Sequence, residues 1–226
     1  MKLSDLVSSG TLAKTSGVKM IGYGPAGGGK TPLIATAPSP VMLATEAGLL
    51  SMRGTNLPVW QAHSYERVKE FFDWFFKSHE AKQFDTLCVD SLSQVTEIVL
   101  KYHLGRNKDG RKAYGEMASD VMKWLEDLYF MPDKHIYLIG KQEIGEEEGI
   151  QTKRPYFAGQ ELKVKIPHLF DLIAHIAVVP IQGLAQPQRA IRTKATFGVV
   201  ARDRSGKLAE LEPPDLTKLF NKMMQP

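Results

Sequence analysis

A glycine-rich run near the amino terminus constrains this chain more than any other feature. The run consists of Gly24, Pro25, Ala26, Gly27, Gly28, Gly29, Lys30 and Thr31. It fits G-x-x-x-x-G-K-[ST], in which glycines let the backbone N–H groups curl around phosphate oxygens. Lys30 would supply a positive charge for the β- and γ-phosphates, and the Thr31 hydroxyl would supply a ligand for Mg²⁺. The run therefore predicts a P-loop with ATP and Mg²⁺ as its ligands.

The segments on either side of this run agree with that interpretation. Residues 18–23 are mostly apolar and predict a strand, and residues 31–37 predict the start of a helix. Pro32 is tolerated there because the N–H that proline lacks has no partner in a first helical turn. A chance glycine-rich turn would not need this strand–loop–helix context.

Composition limits the number of domains and the cellular compartment that we expect for this chain. The chain has 226 residues with 43% hydrophobic and 24% charged residues, which suits one globular domain. We expect a flexible arm over residues 1–17 and a single domain over 18–226. The net charge of +4 is compatible with a polyanionic partner. One cysteine, Cys88, excludes an internal disulfide, and no signal peptide or membrane span is evident, so we expect a cytoplasmic protein with no membrane partner.

Apolar segments alternate with helical patterns through the first two thirds of the chain. Three further strands are predicted at Val41–Ala44, Thr86–Val89 and His135–Ile139, and a short one at Val59 and Trp60. The helical patterns begin at Ser64, with a stripe of aromatic residues, at Leu92 and at Tyr114. This alternation predicts an α/β fold: a mostly parallel sheet flanked by helices.

The last third has a different pattern. Residues 143–165 are polar with no helical period, and the earlier residues 106–112 read as a basic loop. Residues 173–181 and 189–202 predict longer strands, paired as an antiparallel hairpin at the sheet edge. Asp215 is a plausible N-cap for a final amphipathic helix.

Two carboxylates are candidates for the chemistry that a P-loop needs for hydrolysis. Asp90 follows an apolar strand, where it would support the magnesium ion; the alternative is that Asp90 or Ser91 caps the next helix. Many P-loop ATPases place a glutamate directly after this aspartate, but here the residue is Ser91. Glu46, just past Val41–Ala44, is the candidate general base, and the alternative is a solvated loop glutamate.

Together these features resemble the RecA-like recombinase ATPases. Residues 41–46 are similar to the strand that ends in that family's catalytic glutamate, and residues 88–91 to its magnesium-site strand. The resemblance implies a polar sensor of the γ-phosphate at the end of the next core strand. Gln142 is the candidate, with Lys141 as the alternative if the register differs by one residue.

Within that group, the chain most resembles the small phage-encoded RecA-like ATPases of single-strand annealing and recombination. The similarity includes a basic element at residues 111–115 and a turn at 202–206. It implies ATP hydrolysis on single-stranded DNA by a homo-oligomer, a ring or a filament, with ATP between subunits and possible partnership with a single-strand-binding or annealing protein. Arg202 and Arg204 would then be catalytic cations in a neighbour's site, unless they are simply solvated.

Two stretches combine cations with aromatic residues, as sequence-tolerant DNA binding requires. The candidate DNA-binding residues are Arg106, Lys108, Arg111, Lys112 and Tyr114 in the first stretch, and Lys153 and Arg154 in the second. Each stretch could instead be a solvated loop, and the acidic run 146–148 beside the second suggests an exposed loop tip. Two other functions stay open: a small-molecule kinase, and a nucleotide-gated helicase or partner loader.

Overall fold

The computed structural model describes residues 6–147, 149–181, 183 and 185–225. Its strands are β1 (Lys19–Gly24), β2 (Pro40–Ala44), β3 (Val59–Gln61), β4 (Thr86–Asp90), β5 (His135–Glu147), β6 (Ile150–Tyr156), β7 (Leu172–Val179), β8 (Gln188–Arg192), β9 (Arg202–Asp203) and β10 (Leu211–Glu212). Its α-helices are α1 (Ser9–Thr15), α2 (Lys30–Leu33), α3 (Tyr65–Lys77), α4 (Leu92–Leu104), α5 (Gly110–Tyr129), α6 (Gln160–Leu169) and α7 (Leu216–Met224).

The strands form one sheet whose central part is parallel. Its order is β10-β8-β7-β1-β5-β4-β2-β3, with β6 paired to β5 and β9 paired to β7. The pairs from β7 to β3 along this path are parallel, whereas β8 and β9 pair antiparallel with β7, and β6 pairs antiparallel with β5. The prediction of an α/β fold with a mostly parallel sheet and antiparallel strands toward the carboxyl end is confirmed.

The register brings the carboxyl ends of the parallel strands to one edge. Ala44 pairs with Asp90 across β2 and β4, and Gly24 pairs with Lys141 across β1 and β5. The residues that follow these positions therefore gather at the end of the sheet where β1 leads into the P-loop, which is where ligands bind in open parallel sheets.

Apolar packing on both faces of the sheet fixes this arrangement. On one face α3, α4 and α5 cover the sheet, and the predicted aromatic stripe is buried there, with Phe72 stacked on Trp124 at 4.8 Å between ring centroids. On the other face α2 and α7 bury Leu33 and Phe220 against the sheet. Full burial of such a side chain contributes about 1.5–3 kcal/mol. The core therefore holds the strand ends in fixed positions.

Helix ends differ from the sequence predictions in two places. The stretch 106–112 is not wholly a loop, because α5 already begins at Gly110, where the Asp109 carboxylate accepts a hydrogen bond from the Arg111 N–H at 2.9 Å. The stretch 143–165 contains the rest of β5, all of β6 and most of α6. The sequence showed no helical period because α6 buries only Leu162 and Ile166.

The carboxyl-terminal strands are shorter than predicted. The antiparallel hairpin of β7 and β8 is present, but β8 ends at Arg192 and β9 is a separate short strand. The chain turns at Gly198, whose φ of 74° favours glycine, so one continuous strand cannot form there. Asp215 caps α7 as expected, accepting from the Lys218 N–H at 3.0 Å.

The predicted amino-terminal arm is described only in part. Residues 1–5 lie outside the described residues, and α1 occupies 9–15. Among the helices of the described residues, none has the length and apolar character required to cross a membrane.

His135, at the start of β5, makes stability depend on pH. Its Nδ1 accepts a hydrogen bond from the Val18 N–H at 3.0 Å, and its ring stacks on Phe220. Burial, with the nearby Lys19 charge, lowers the pKa of His135 to about 4. Since the unfolded chain has a pKa near 6.5, the neutral ring contributes stability that is complete above about pH 6.5 and is lost as the pH falls toward 4.

We therefore expect the free energy of unfolding, measured by urea denaturation, to fall less steeply between pH 6.5 and 4 in His135→Gln than in the unmodified chain. Substitution of the exposed His63 by glutamine is the matched control and should leave the slope unchanged. Equal slopes for His135→Gln and the unmodified chain would contradict this assignment.

Candidate functional site

The glycines of the P-loop serve two different purposes. Gly27 and Gly29 have φ of 75° and 99°, which side chains with a Cβ rarely adopt. A Cβ at Gly24 or Gly28 would lie 2.0 or 2.7 Å from the carbonyl oxygen of Ile176 in β7. Two glycines thus shape the turn, and the other two allow the loop to pack directly on a neighbouring strand.

A cleft of about 530 Å³ opens beside this loop. Its lining comes from the P-loop and from the ends of β2, β4 and β5: Gly24, Pro25, Ala26, Gly27, Lys30, Thr31, Glu46, Asp90, Ser91, Ile139, Lys141 and Gln142. The structure therefore brings the predicted P-loop, metal, base and sensor residues together around one cavity.

Lys30 is held at the mouth of the loop. Its Nζ donates hydrogen bonds to the carbonyl oxygens of Gly24 and Pro25, both at 2.8 Å. Burial lowers the pKa of Lys30, and the charges of Asp90 and Glu46 act in the opposite direction. The ammonium thus lies between the backbone of the P-loop and the two carboxylates of the cleft.

Thr31 and Asp90 form the predicted metal pair. The Thr31 hydroxyl donates to Asp90 Oδ2 at 2.5 Å, and Asp90 is only 7% exposed. Burial raises the pKa of Asp90, with a further contribution from Glu46, whereas Thr31 and Lys30 lower it.

These oxygens fit Mg²⁺. A buried carboxylate is stabilised by a nearby cation, and Mg²⁺ is commonly held by one or two protein oxygens together with substrate phosphates. The described residues contain no cluster of three or more histidine, cysteine or acidic side chains that could enclose a metal. Asp90 and Thr31 would hold the ion on the protein side.

Glu46 is connected to α4 through Ser91. The Ser91 hydroxyl donates to Glu46 Oε1 at 2.7 Å and accepts from the Gln94 N–H at 3.2 Å, so Ser91, not Asp90, caps α4. Lys141 Nζ lies 3.9 Å from the same glutamate oxygen. The sequence offered Ser91 as a possible helix cap, which is confirmed, but did not predict its hydrogen bond to the candidate base.

Both sensor candidates line the cleft. Gln142 Oε1 lies 2.9 Å from Nε2 of His175 in β7. Burial lowers the pKa of His175 to about 4, with smaller contributions from the cations Lys153, Arg192 and Lys30. A neutral His175 would therefore donate to the amide oxygen and leave the amide N–H₂ group of Gln142 free to face the cleft. A role for His175 was not predicted from the sequence. The feature that could have indicated one is a polar residue inside the otherwise apolar strand β7.

Lys141 is the second sensor candidate, and it faces α4. Its Nζ donates to Gln94 Oε1 at 2.8 Å and lies 3.2 Å from Glu97 Oε2. Both side chains therefore line the cleft. The sensing of the γ-phosphate by Gln142, with Lys141 as the alternative, stays a prediction.

Arg202 and Arg204 lie away from this cleft. Arg202 Nη2 donates to the Phe170 carbonyl at 2.7 Å, and Arg204 Nη2 donates to the His168 carbonyl at 2.6 Å. Because β9 pairs with the first residues of β7, both arginines lie at the opposite end of the sheet from the P-loop. Their action on a neighbour's nucleotide stays a prediction.

The candidate DNA-binding residues occupy two surfaces. Arg106 stacks over Tyr102 at 4.3 Å, and Lys108 lies in the loop before α5. Arg111, Lys112 and Tyr114 are exposed on the first turns of α5. On β6, Lys153 is exposed, and Arg154 Nε lies 2.8 Å from Glu143 Oε1.

A groove of about 610 Å³ is lined by Arg111 and Tyr114 of the first stretch, whereas Lys153 and Arg154 of the second do not line it. It lies between the first turns of α5, the end of β6 and the start of α6. Its lining is Arg111, Tyr114, Gly115, Met117, Ala118, Tyr156, Phe157, Gly159, Gln160, Glu161, Leu162 and Lys163. We call this the α5–α6 groove. Lys163 was not predicted, because its helix was not recognised from the sequence.

Comparison with known proteins identifies the family of this chain. No curated protein matches the chain. A family model described as an AAA domain matches residues 16–205, which include the P-loop, Glu46, Asp90 and Gln142. The match covers most of the chain and agrees with the mostly parallel α/β sheet described above. The chain therefore belongs to the AAA domain family, a family of nucleotide-binding ATPases that use ATP with Mg²⁺.

Proposed function

We propose that this chain hydrolyses ATP and acts on single-stranded DNA, in recombination or strand annealing, with its ATPase stimulated by DNA. ATP binding and hydrolysis in general follow from the family and the cleft. The role on DNA is supported by one structural observation in particular. Tyr156, which lines the α5–α6 groove, accepts a hydrogen bond from α4, and the cap of that same helix orients Glu46.

The cleft supplies the groups that hydrolysis requires. Glu46 accepts a proton from the attacking water, and the Ser91 hydroxyl fixes the direction of its carboxylate. Lys30 stabilises negative charge on the phosphoryl oxygens, and Gln142, which lines the same cleft, is the candidate contact to the γ-phosphate. When bound, Mg²⁺ would neutralise charge on the β- and γ-phosphates. Asp90 and Thr31 provide its protein oxygens.

The α5–α6 groove has the chemistry of a single-strand site. Tyr114 is 45% exposed, and Lys163 Nζ, which also pairs with Glu143 at 2.9 Å, lies 5.5 Å from the ring centroid of Tyr156. Arg111 adds a further exposed cation. Aromatic faces stack on unpaired bases whatever their identity, and cations neutralise the phosphate backbone. A duplex offers no free base faces to these rings, so the groove favours a single strand.

Helix α4 connects this groove to the cleft. The Ser93 hydroxyl donates to the carbonyl of Tyr156 at 2.6 Å and accepts from the Lys141 N–H at 2.8 Å. Thr96 Oγ1 accepts from the Ala158 N–H at 3.0 Å. Since Ser91 at the start of α4 holds Glu46, a strand bound against Tyr156 could alter the position of the base. This is a physical route for DNA stimulation.

The assembly in this proposal rests on the resemblance to RecA-like ATPases. It is a ring or filament with ATP between subunits, in which Arg202 or Arg204 reaches the neighbour's phosphates. A single-strand-binding or annealing protein is the proposed further partner, and the cytoplasm is the proposed compartment. Phosphate transfer to a small acceptor would instead favour a kinase, and slow turnover coupled to partner release would favour a helicase or partner loader.

Glu46→Gln tests the base. The amide keeps the size and a hydrogen-bond acceptor for Ser91 but cannot take up a proton, so we expect kcat for ATP hydrolysis to fall by roughly 10²–10⁴-fold with little change in ATP affinity. Glu80→Gln, at an exposed turn outside the cleft, is the matched control. Phosphate release assays and equilibrium ATP titration measure both quantities. Normal turnover in Glu46→Gln would refute the assignment.

Lys30→Ala tests the phosphate role. Removal of the ammonium should weaken ATP binding by at least about tenfold, since a charge-assisted contact to phosphate is lost. Lys207→Ala is the control, because this exposed lysine lies between β9 and β10 and does not line the cleft. Calorimetric titration with ATP and Mg²⁺ measures the affinity, and unchanged tight binding by Lys30→Ala argues against the role.

Tyr114→Ala tests the α5–α6 groove. Loss of one stacking side chain should weaken binding of an oligothymidine by about tenfold, measured by fluorescence anisotropy. Tyr129→Ala removes an exposed tyrosine at the far end of the same helix and should bind the oligonucleotide like the unmodified chain. If both variants bind as tightly as the unmodified chain, the single strand does not occupy this groove.

A further inference from the structure

Arg189 of β8 lies directly against the P-loop. A Cβ built on Gly29 would be 2.9 Å from Arg189 Cδ, 3.1 Å from Nε and 3.6 Å from Cζ. The side chain is exposed, so solvent or a ligand can reach it. From this position we infer that Arg189 contacts the α-phosphate of the nucleotide bound to the same chain's P-loop. The inference rests on the nucleotide binding that the proposed function uses.

The sheet order places Arg189 on the other side of the P-loop from the hydrolytic groups. Glu46 follows β2, Asp90 is the last residue of β4, and Gln142 lies in β5. These three strands lie on one side of β1. Strands β7 and β8 lie on the opposite side, where Ile176 packs against the P-loop glycines. Gly29 is not among the residues that line the cleft. The loop therefore separates Arg189 from the metal pair.

This separation identifies the part of the nucleotide that Arg189 faces. The γ-phosphate must lie near the metal pair and Glu46 for water attack to occur. The phosphate chain then passes through the P-loop, and its α-phosphate leaves on the side away from those groups. A guanidinium at that position can donate two parallel hydrogen bonds to phosphate oxygens, which a lysine ammonium cannot.

The charge of Arg189 is available for this contact. Arg192, three residues later on β8, forms an ion pair with Glu210. Within the described part of the chain, no carboxylate oxygen lies within 4 Å of the Arg189 guanidinium, and no hydrogen bond from its side chain is found. A cation held at a phosphate-binding loop without an internal anion is suited to an anionic ligand.

The test is the affinity for ADP and for ATP, measured by calorimetric titration with Mg²⁺. Arg189→Ala should weaken both nucleotides by the same factor, about tenfold, because both carry the α-phosphate. Arg189→Lys should bind both nucleotides more tightly than Arg189→Ala but less tightly than the unmodified chain, whereas Arg189→Gln should bind them no more tightly than Arg189→Ala. The Kd of the unmodified chain should also rise more steeply with salt than that of Arg189→Ala, which a purely structural role would not produce.

Lys194→Ala removes an exposed cation just after the same strand; it is the control and should bind both nucleotides like the unmodified chain. Unchanged affinity in Arg189→Ala overturns the inference, and so does a loss confined to ATP, since that would place the contact at the γ-phosphate. If the unmodified chain binds neither nucleotide, the premise of nucleotide binding fails instead.

Discussion

The hydrogen bond between the Thr31 hydroxyl and the buried carboxylate of Asp90 is the contact on which the rest of the site depends. A carboxylate in so little water is costly unless hydrogen bonds and cations compensate it. Here Thr31 provides the hydrogen bond, and Lys30 the nearest positive charge. The geometry requires β1 and β4 to end at the same edge with β5 between them. The parallel register of β2 with β4 then brings Glu46 to the same place.

The second constraint is the amino-terminal end of α4. Three of its residues use their hydroxyl groups for different purposes: Ser91 caps the helix and orients Glu46, Ser93 bonds to both β5 and β6, and Thr96 bonds to the segment after β6. A single helix thus contacts the candidate base, strand β5 and one wall of the α5–α6 groove. Each of these hydroxyl groups is hydrogen-bonded on both sides, which is the arrangement that the proposed coupling requires.

Local patterns in the sequence predicted much of this fold. The P-loop, the buried strands and the aromatic face of α3 carry their signals in neighbouring residues, and their positions are confirmed. Contacts that depend on strand register could not be predicted this way. Ser91 reaches Glu46 only because β2 and β4 are adjacent, and Arg189 reaches the P-loop only because of the order of β7 and β8. Helix α6 was missed because it has few buried apolar positions.

The chain belongs to a family of ATPases, and we propose that a second site controls its base. The central claim is that a single strand in the α5–α6 groove acts through α4 on Glu46. The most direct measurement is steady-state ATP hydrolysis by the unmodified chain with increasing oligothymidine, and with duplex of the same length as control. The account predicts saturable stimulation of kcat by the single strand and little by the duplex. A hydrolysis rate that is the same with and without the single strand would contradict it.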